Sequence, residues 1–316
     1  MDGIHRTAIL GDPVLKLHDT GSGHPEQPAR YTAIMNRLSA VGLLDVLEPL
    51  QWRRATKDEL ALAHTQEYVE LVEREIEQDR GQLSTGDTAI SSHSLEPAQV
   101  AAGCVLAAVD AVFAKAVTNA FCAIRPPGHH ANANTGMGFC LYNNIAVGAR
   151  YAQVRHNAER ILIADWDVHH GNGTQDIFYQ DGSVFFFSTH QSPWYPGTGA
   201  ASERGEGAGM NATLNCPFPA GAGRTEIMGA FERLLVPAAE QFRPDLIMIS
   251  AGFDSRINDP LGQFTLTDSD FANLTGVMMM LANRYCDGRL ISVLEGGYNL
   301  DGLGRAVEAH VRTLLG

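Results

Sequence analysis

The 316-residue sequence has little of several features that mark particular protein classes. Cysteine is sparse: the five residues, at positions 104, 122, 140, 216 and 286, are scattered and form no C-x-x-C pair. Such a set predicts buried, reduced thiols in a cytoplasmic protein rather than a disulfide framework. No basic run is longer than Arg53-Arg54, and the formal net charge is −13. This balance argues against a nucleic-acid partner, because phosphate binding needs a basic surface.

Membrane and targeting signals are also scarce. No apolar stretch approaches the roughly 18 residues of a membrane span, and residues 1–6 lack the apolar core of a signal peptide. We therefore expect no membrane partner. The sequence has no internal repeat, and its glycine-rich segment at 197–209 contains no G-K-[ST]. That segment predicts a mobile loop rather than a phosphate-binding loop.

Past residue 95, short apolar runs alternate with longer helical patterns. An earlier strand, Thr7–Leu10, precedes a polar, turn-rich segment at 15–30 that predicts a long surface loop. The predicted later strands are 120–124, 160–164, 184–187, 212–216, 245–250 and 290–294, and the predicted helices are 97–117, 144–154, 225–241, 267–285 and 303–315. This alternation is typical of an α/β fold with a mostly parallel sheet covered by helices on both faces. We expect a single domain over residues 1–316.

Polar clusters follow five of these strands directly. They are RPPGHH at 125–130, DWDVHH at 165–170, STH at 188–190, AGFD at 251–254 and EGGY at 295–298. The carboxyl ends of parallel strands share one edge of the sheet, and ligands bind in the crevice there. The five clusters are therefore expected to meet in one site.

The carboxylates of these clusters predict a metal site. Asp165, Asp167 and His169 are spaced by two, so an extended segment would direct them to one face. A carboxylate and an imidazole of this face, with Asp254 as a further carboxylate, make an Asp₂His set, which is typical of catalytic zinc or iron(II) with an open position. The alternative, a helix-capping aspartate and a surface histidine, is disfavoured because burying several carboxylates beside an apolar strand is costly. No second Asp-rich motif follows residue 251, which disfavours a two-metal site.

Two further elements indicate acid/base chemistry. His129 and His130 follow a rigid Pro-Pro-Gly turn, where adjacent imidazoles are suited to proton transfer. A pair of loop histidines without a role is the alternative, and the neighbouring carboxylates count against it. Tyr298, on a glycine-flanked loop, is suited to donate a hydrogen bond to a developing oxyanion. Taken alone, it would be an ordinary buried tyrosine.

Together these segments resemble the histone deacetylase family, including its bacterial deacetylase-like and acetylpolyamine amidohydrolase members. The matching motifs are HPEQPAR (24–30), RPPGHHA (125–131), GMGFCLYNN (136–144), DWDVHHGNGTQ (165–175), SAGFD (250–254), DPL (259–261) and EGGYN (295–299). They run from residue 24 to 299 in the family's order, and their form is similar to the class II branch. The resemblance implies an arginase-like fold around an eight-stranded parallel sheet.

The resemblance also implies roles for individual residues. The implied zinc ligands are Asp167, His169 and Asp254. The implied catalytic residues are the tandem His129 and His130, Asp165, which orients His129, Asn172, which partners His130, and Tyr298, which polarises the acyl carbonyl. A structural potassium ion is implied at Asp165, Asp167, His169, Ser188 and Thr189. The implied acyl-chain tunnel is formed by Gly138, Phe139, Tyr195 and Leu261.

The expected activity is zinc-dependent hydrolysis of N-acetyl or other short-acyl lysine side chains, with iron(II) as an alternative metal. Acetylpolyamines or other small N-acylated amines are the alternative substrates. A binuclear manganese ureohydrolase and an inactive acyl-ligand binder are disfavoured, by the missing second Asp-x-Asp motif and by the complete set of chemical residues. We further expect a homo-oligomer, a dimer or tetramer, with the 15–30 and 197–209 segments flanking the mouth of the tunnel.

Overall fold

A single parallel sheet organises the chain. The computed structural model describes residues 6–316, so residues 1–5 of the segment considered for a signal peptide lie outside the described residues. The sheet has eight strands in the order β2-β1-β3-β8-β7-β4-β5-β6, and every neighbouring pair is parallel. The strands are β1 Thr7–Leu10, β2 Glu48–Pro49, β3 Asn119–Cys122, β4 Ile161–Asp165, β5 Val184–Gln191, β6 Thr213–Phe218, β7 Leu246–Ala251 and β8 Leu290–Leu294. The predicted α/β class and eight-stranded sheet are confirmed.

The predicted helices are found with boundary shifts of a few residues. Among the described residues the α-helices are α1 Ala29–Ala40, α2 Lys57–Leu60, α3 Gln66–Glu77, α4 Leu95–Phe113, α5 Asn144–His156, α6 Asn172–Phe178, α7 Arg224–Ala230, α8 Val236–Phe242, α9 Asp268–Tyr285 and α10 Leu300–Leu315. The predicted helix 225–241 is α7 and α8 joined by a π-helical turn, Phe231–Leu235. The sequence analysis assigned no element to α1, α2, α3, α6 or β2.

Two apolar cores lie on opposite faces of the sheet. Helices α4 and α5 contribute to one core, while α1, α9 and α10 contribute to the other. Within the described residues, α4 is long and apolar enough to span a membrane by length and composition, so the expectation that no stretch would be is wrong. However, 72% of its most apolar window is buried inside the protein, which is typical of a core helix.

The surface-loop prediction for residues 15–30 is right for most of the segment, since residues 18–28 have no regular secondary structure and several of them are exposed, but it is wrong for two charged residues. A short 3₁₀ helix, Pro13–Leu17, begins the segment, and α1 ends it. Glu26 and Arg30 are fully buried, and the Glu26 carboxylate accepts hydrogen bonds from Arg30 at 3.1 Å and from Arg125 at 2.8 and 2.6 Å. Glu26 and Arg30 can be enclosed because their charges are paired with each other and Glu26 is also paired with Arg125.

The cysteines behave as expected. All five are free and buried. Burial raises the pKa of the Cys104 thiol to about 12, so this thiol stays protonated and unreactive.

Candidate metal and catalytic site

The polar clusters meet at the carboxyl edge of the sheet, as predicted. Strands β3, β8, β7, β4 and β5 are consecutive neighbours, so the segments that follow them emerge side by side. The register pairs Asp165 with Ser250 on one side and with Ser188 on the other. Five segments distant in sequence therefore converge because the sheet order places their strands together.

Asp167, His169 and Asp254 form a compact, buried cluster. His169 Nδ1 lies 2.9 Å from Asp167 Oδ1 and 3.2 Å from Asp254 Oδ2, and the three potential ligand atoms all lie within 4.8 Å of one another. Asp254 Oδ2 is buried without a hydrogen-bond partner. A buried anionic oxygen that lacks a donor is stabilised by a cation, so the donor set fits a divalent metal.

A turn after β4, rather than the alternation of side chains along an extended strand, brings Asp167 and His169 together. Strand β4 ends at Asp165, and the following residues bend. Asp165 Oδ1 accepts from the backbone N–H of Asp167 at 3.0 Å, and Asp167 Oδ1 accepts from that of His169 at 2.9 Å. The expectation of an extended segment is therefore wrong, although Asp167 and His169 do converge. Side-chain-to-backbone bonds of this kind are typical of aspartate in turns.

Gly296 allows the EGGY loop to approach the cluster closely. Its backbone N–H donates to Asp167 Oδ2 at 2.8 Å. A Cβ atom at this position would lie 1.9 Å from Asp254 Oδ2 and 2.6 Å from Asp167 Oδ2. Glycine is therefore required here because the two carboxylates occupy the space that a side chain would need.

The tandem histidines have different partners. His129 Nδ1 lies 2.9 Å from Asp165 Oδ2, and His130 Nδ1 lies 2.8 Å from Asn172 Oδ1. Burial alone would lower the pKa of His129, but the carboxylates of Asp165, Asp167 and Glu295 raise it to about 10. Burial and the neighbouring charge on His129 hold the pKa of His130 well below its usual range. His129 is therefore cationic and His130 neutral at physiological pH.

The residues named for a monovalent cation are brought together in part. Ser188 and Thr189 lie on β5 beside the end of β4, and both are buried. The Ser188 hydroxyl lies 2.9 Å from His190 Nδ1. The potassium ion itself stays a prediction.

A cavity of about 230 Å³ lies against the cluster, where His169 forms part of its lining. Its lining contains the four predicted tunnel residues together with His130, His169, Tyr298, Asp87 and Trp194. Gly138 has a positive φ of 56°, and a Cβ atom there would lie 2.3 Å from the His130 ring. A glycine is needed at this wall because His130 packs directly against it.

Asp87 and Trp194 are cavity residues that the sequence analysis missed. Asp87 Oδ1 accepts from the backbone N–H of Gly138 at 2.6 Å and from the Tyr195 hydroxyl at 3.5 Å. The Trp194 indole N–H donates to the Leu261 carbonyl at 2.9 Å. Asp87 therefore contacts the wall formed by Gly138 and Tyr195, and Trp194 contacts the wall formed by Leu261. Trp194 directly precedes a predicted tunnel residue, whereas Asp87 lies in a turn that carries no comparable signal.

Tyr298 lines the cavity, and both its backbone and its ring contact buried charged residues. Asp259 Oδ2 accepts from the backbone N–H of Tyr298 at 2.7 Å, and the Arg30 guanidinium lies 4.8 Å from the ring centroid. Burial raises the pKa of Tyr298 well above its usual value, so the phenol remains a hydrogen-bond donor. The sequence analysis gave no role to Arg30 or Asp259, although both fall in matching motifs. Their burial beside Tyr298 marks them as part of the site, and burial of a charged residue is not visible in the sequence.

Comparisons with known proteins agree with this geometry. The chain matches the histone deacetylase domain over residues 24–314. It is 40% identical to histone deacetylase 14, chloroplastic, from Arabidopsis thaliana over 93% of this chain and 73% of that protein. It is 40% identical to a probable deacetylase from Archaeoglobus fulgidus over 90% of this chain and 79% of that protein.

A longer relative and a solved structure are also similar to this chain. Polyamine deacetylase HDAC10 from Homo sapiens is 42% identical over 92% of this chain, which spans 44% of that longer protein. The crystal structure of an HDA15 HD domain superposes with a TM-score of 0.93 at 38% identity, covering 99% of this chain and 89% of that one. Similarity of this extent covers the sheet, its helices and the loops of the site together.

Proposed function

Because the chain belongs to the histone deacetylase family, we propose that it is a zinc-dependent amidohydrolase that removes acetyl or another short acyl group from lysine side chains. The observation that carries this proposal is the cavity whose lining combines His130, His169 and Tyr298 with apolar side chains. A linear alkyl chain fits between apolar walls, and its amide would stop beside a neutral base, a phenol and the metal ligands.

The metal would be held by Asp167, His169 and Asp254. When bound, it would supply Lewis-acid polarisation of the acyl carbonyl and lower the pKa of water. His130 donates from Nδ1 to Asn172, so its Nε2 is the free acceptor that takes a proton from the attacking water. The same nitrogen then returns that proton to the leaving amine. Tyr298 donates its hydroxyl proton in a hydrogen bond to the carbonyl oxygen as negative charge develops there.

The lining of the cavity favours a neutral acyl-lysine chain over a polyamine. Phe139, Tyr195 and Leu261 present mostly apolar surface, and Asp87 is the carboxylate at the mouth. Asp87 already accepts two hydrogen bonds from the protein. A polyamine carries additional ammonium groups that need further anionic partners. Acetylpolyamines nevertheless remain the competing substrates, since a relative at 42% identity is named a polyamine deacetylase.

Turnover on matched substrates tests this proposal. The specificity constant, kcat/KM, is measured for an acetyl-lysine peptide and for N-acetylspermidine with the zinc-loaded protein. We expect the peptide to be preferred by at least about tenfold, equivalent to roughly 1.4 kcal/mol of transition-state binding. Preference for N-acetylspermidine would assign the polyamine reaction instead. Removal of the metal by a chelator should abolish either activity, and zinc should restore it.

Several properties extend the same proposal. We propose zinc as the working metal with iron(II) as the substitute, because an Asp₂His set with an open position suits both ions. A potassium ion beside Asp165 and Ser188, a cytoplasmic location and a homo-oligomeric state complete it. Metal analysis of the purified protein and sedimentation analysis would test the first and last of these directly.

A further inference from the structure

We infer that Glu295 is a positioning residue that fixes the main chain of the tandem histidines, an inference that rests on the function proposed above. Its Oε2 atom accepts from the backbone N–H of Gly128 at 2.7 Å and from that of His129 at 3.1 Å. Its Oε1 atom accepts from the Ser250 hydroxyl at 3.1 Å. The side chain is fully buried, so its three donors are protein groups shielded from water.

The turn that carries the histidines depends on partners outside itself. Residues 125–130 have no regular secondary structure, so their backbone groups need other hydrogen-bond partners. Pro126 and Pro127 have no N–H, which makes Gly128 and His129 the first donors of the turn after Arg125. Both donors point to the same oxygen of Glu295. A single side chain therefore satisfies this part of the turn.

Other contacts hold the turn from different directions. The Asn144 amide donates to the Pro126 carbonyl at 3.1 Å, and the backbone N–H of Thr174 donates to the His129 carbonyl at 3.1 Å. Glu295 supplies the contact to the Gly128 and His129 N–H groups, from the β8 side. Loss of that contact would leave these two buried N–H groups without an acceptor and loosen the backbone at the first of the two histidines. The imidazole rings lie 4.0 Å apart, so a backbone shift at His129 moves both rings.

The inferred role does not require a negative charge. Burial raises the pKa of the Glu295 carboxyl to about 7, and the titratable groups facing it are His129, Asp165 and Cys140. Oε2 accepts the two N–H groups whether or not Oε1 carries a proton. Glutamine would keep the same arrangement, with its oxygen towards the turn and its amide donating to the Ser250 hydroxyl. Glu295→Gln is therefore the matched control for substitutions that remove the contact.

Kinetics of Glu295 variants provide the first test. In the zinc-loaded protein, Glu295→Ala should lower kcat on an acetyl-lysine peptide by about 100-fold, because small misplacements of acid/base groups have effects of that order. KM should change by less than about threefold, since the cavity walls are untouched. Glu295→Gln should recover most of the lost kcat. Glu295→Asp, which withdraws the carboxylate by one methylene, should have a kcat between those of the alanine and glutamine variants. It replaces the alanine variant in the test if that protein does not fold.

Amide spectroscopy provides a second test that needs no substrate. In the zinc-loaded, isotope-labelled protein, the Gly128 and His129 amide protons should resonate downfield and exchange slowly. Both signals should move upfield and exchange faster in Glu295→Ala, and should stay close to the wild-type values in Glu295→Gln. An alanine variant with wild-type kcat or unchanged amide signals, or a glutamine variant as impaired as alanine, overturns the inference. An inactive wild-type protein would instead contradict the proposed function, while the amide signals would still report on Glu295.

Discussion

The floor of the site and the wall that faces the cavity have opposite electrostatic character. The floor contains four fully buried carboxylates, Asp165, Asp167, Asp254 and Glu295. Apart from Asp87 and the cluster residue His169, the wall facing the cavity consists of neutral groups, including the His130 imidazole, the Tyr298 phenol and apolar side chains. Negative charge is therefore concentrated where cations would bind, and among the described residues Asp87 is the one carboxylate that lines the cavity.

This separation has a physical reason. Buried carboxylates are costly unless donors or cations compensate them, and the floor provides backbone N–H groups, the cationic His129 and a metal position. The wall must instead accept a proton and donate a hydrogen bond at neutral pH, which requires uncharged groups with free positions. Substitutions in the floor should therefore reduce metal binding, whereas substitutions in the wall should alter the reaction and leave the metal bound.

The largest effect is expected on the floor, at Asp254. Asp254→Ala should reduce bound metal from one ion per chain to a small fraction and abolish activity, because one of three protein ligands is lost. Elemental analysis of the purified protein measures this directly. A fully loaded alanine variant would show that Asp254 is not a ligand, and two metal ions per wild-type chain would support a binuclear hydrolase.

Asp254→Asn separates loss of the ligand from loss of structure. Asp254 Oδ1 accepts from the backbone N–H of Val168 at 2.9 Å, and asparagine preserves this bond. It replaces the unpartnered, anionic Oδ2 with a neutral amide. A folded Asp254→Asn protein with weak metal binding is expected, and equal melting temperatures of the two metal-free proteins would show that the fold is intact.

On the cavity wall, Tyr298→Phe should act on the reaction and leave the metal in place. We expect kcat to fall by roughly 10²–10³-fold, which is the usual effect of removing one oxyanion donor. KM should change much less, because the hydrogen bond strengthens as the carbonyl oxygen gains charge. Near-normal kcat at full metal occupancy would show that the metal alone polarises the carbonyl.

The sequence predicted most of the residues in the floor and the wall, but for unequal reasons. Apolar strands alternating with helices indicated the parallel sheet, and the carboxyl-edge rule for parallel sheets brought together the polar clusters that follow its strands. The candidate ligands Asp167 and His169 were found because their spacing is visible in the sequence. Their convergence arises differently from the expectation, since carboxylate-to-backbone bonds in a turn bring them together.

The parts that sequence reasoning missed are buried charges with distant partners. Glu26 and Arg30 occur in a polar segment that suggests a surface loop, yet both are enclosed because Arg125, about a hundred residues away, completes their ion pairs. Asp87 was missed for a similar reason, since its partners Gly138 and Tyr195 follow much later in the chain. Composition reports the charge of a segment and gives no information on such pairing.

The smallest expected effect comes from placing a charge on the neutral wall. His130 Nδ1 donates to Asn172 Oδ1 at 2.8 Å, and His130 must be neutral to act as the base. Asn172→Asp adds a carboxylate at that contact, which favours the imidazolium and raises the pKa of His130. Activity falls when the pH drops below this pKa, so the acidic limb of kcat/KM should move to higher pH.

The pH profile of the Asn172→Asp protein should be compared with that of Asn134→Asp. Asn134 is exposed, so the second variant adds the same charge without contacting His130 and should leave the acidic limb in place. Metal occupancy is measured in all three proteins, because ionisation of a metal-activated water contributes to the same limb and the observed pKa belongs to the coupled site. An unchanged or lowered acidic pKa in fully loaded Asn172→Asp would show that His130 does not control this limb.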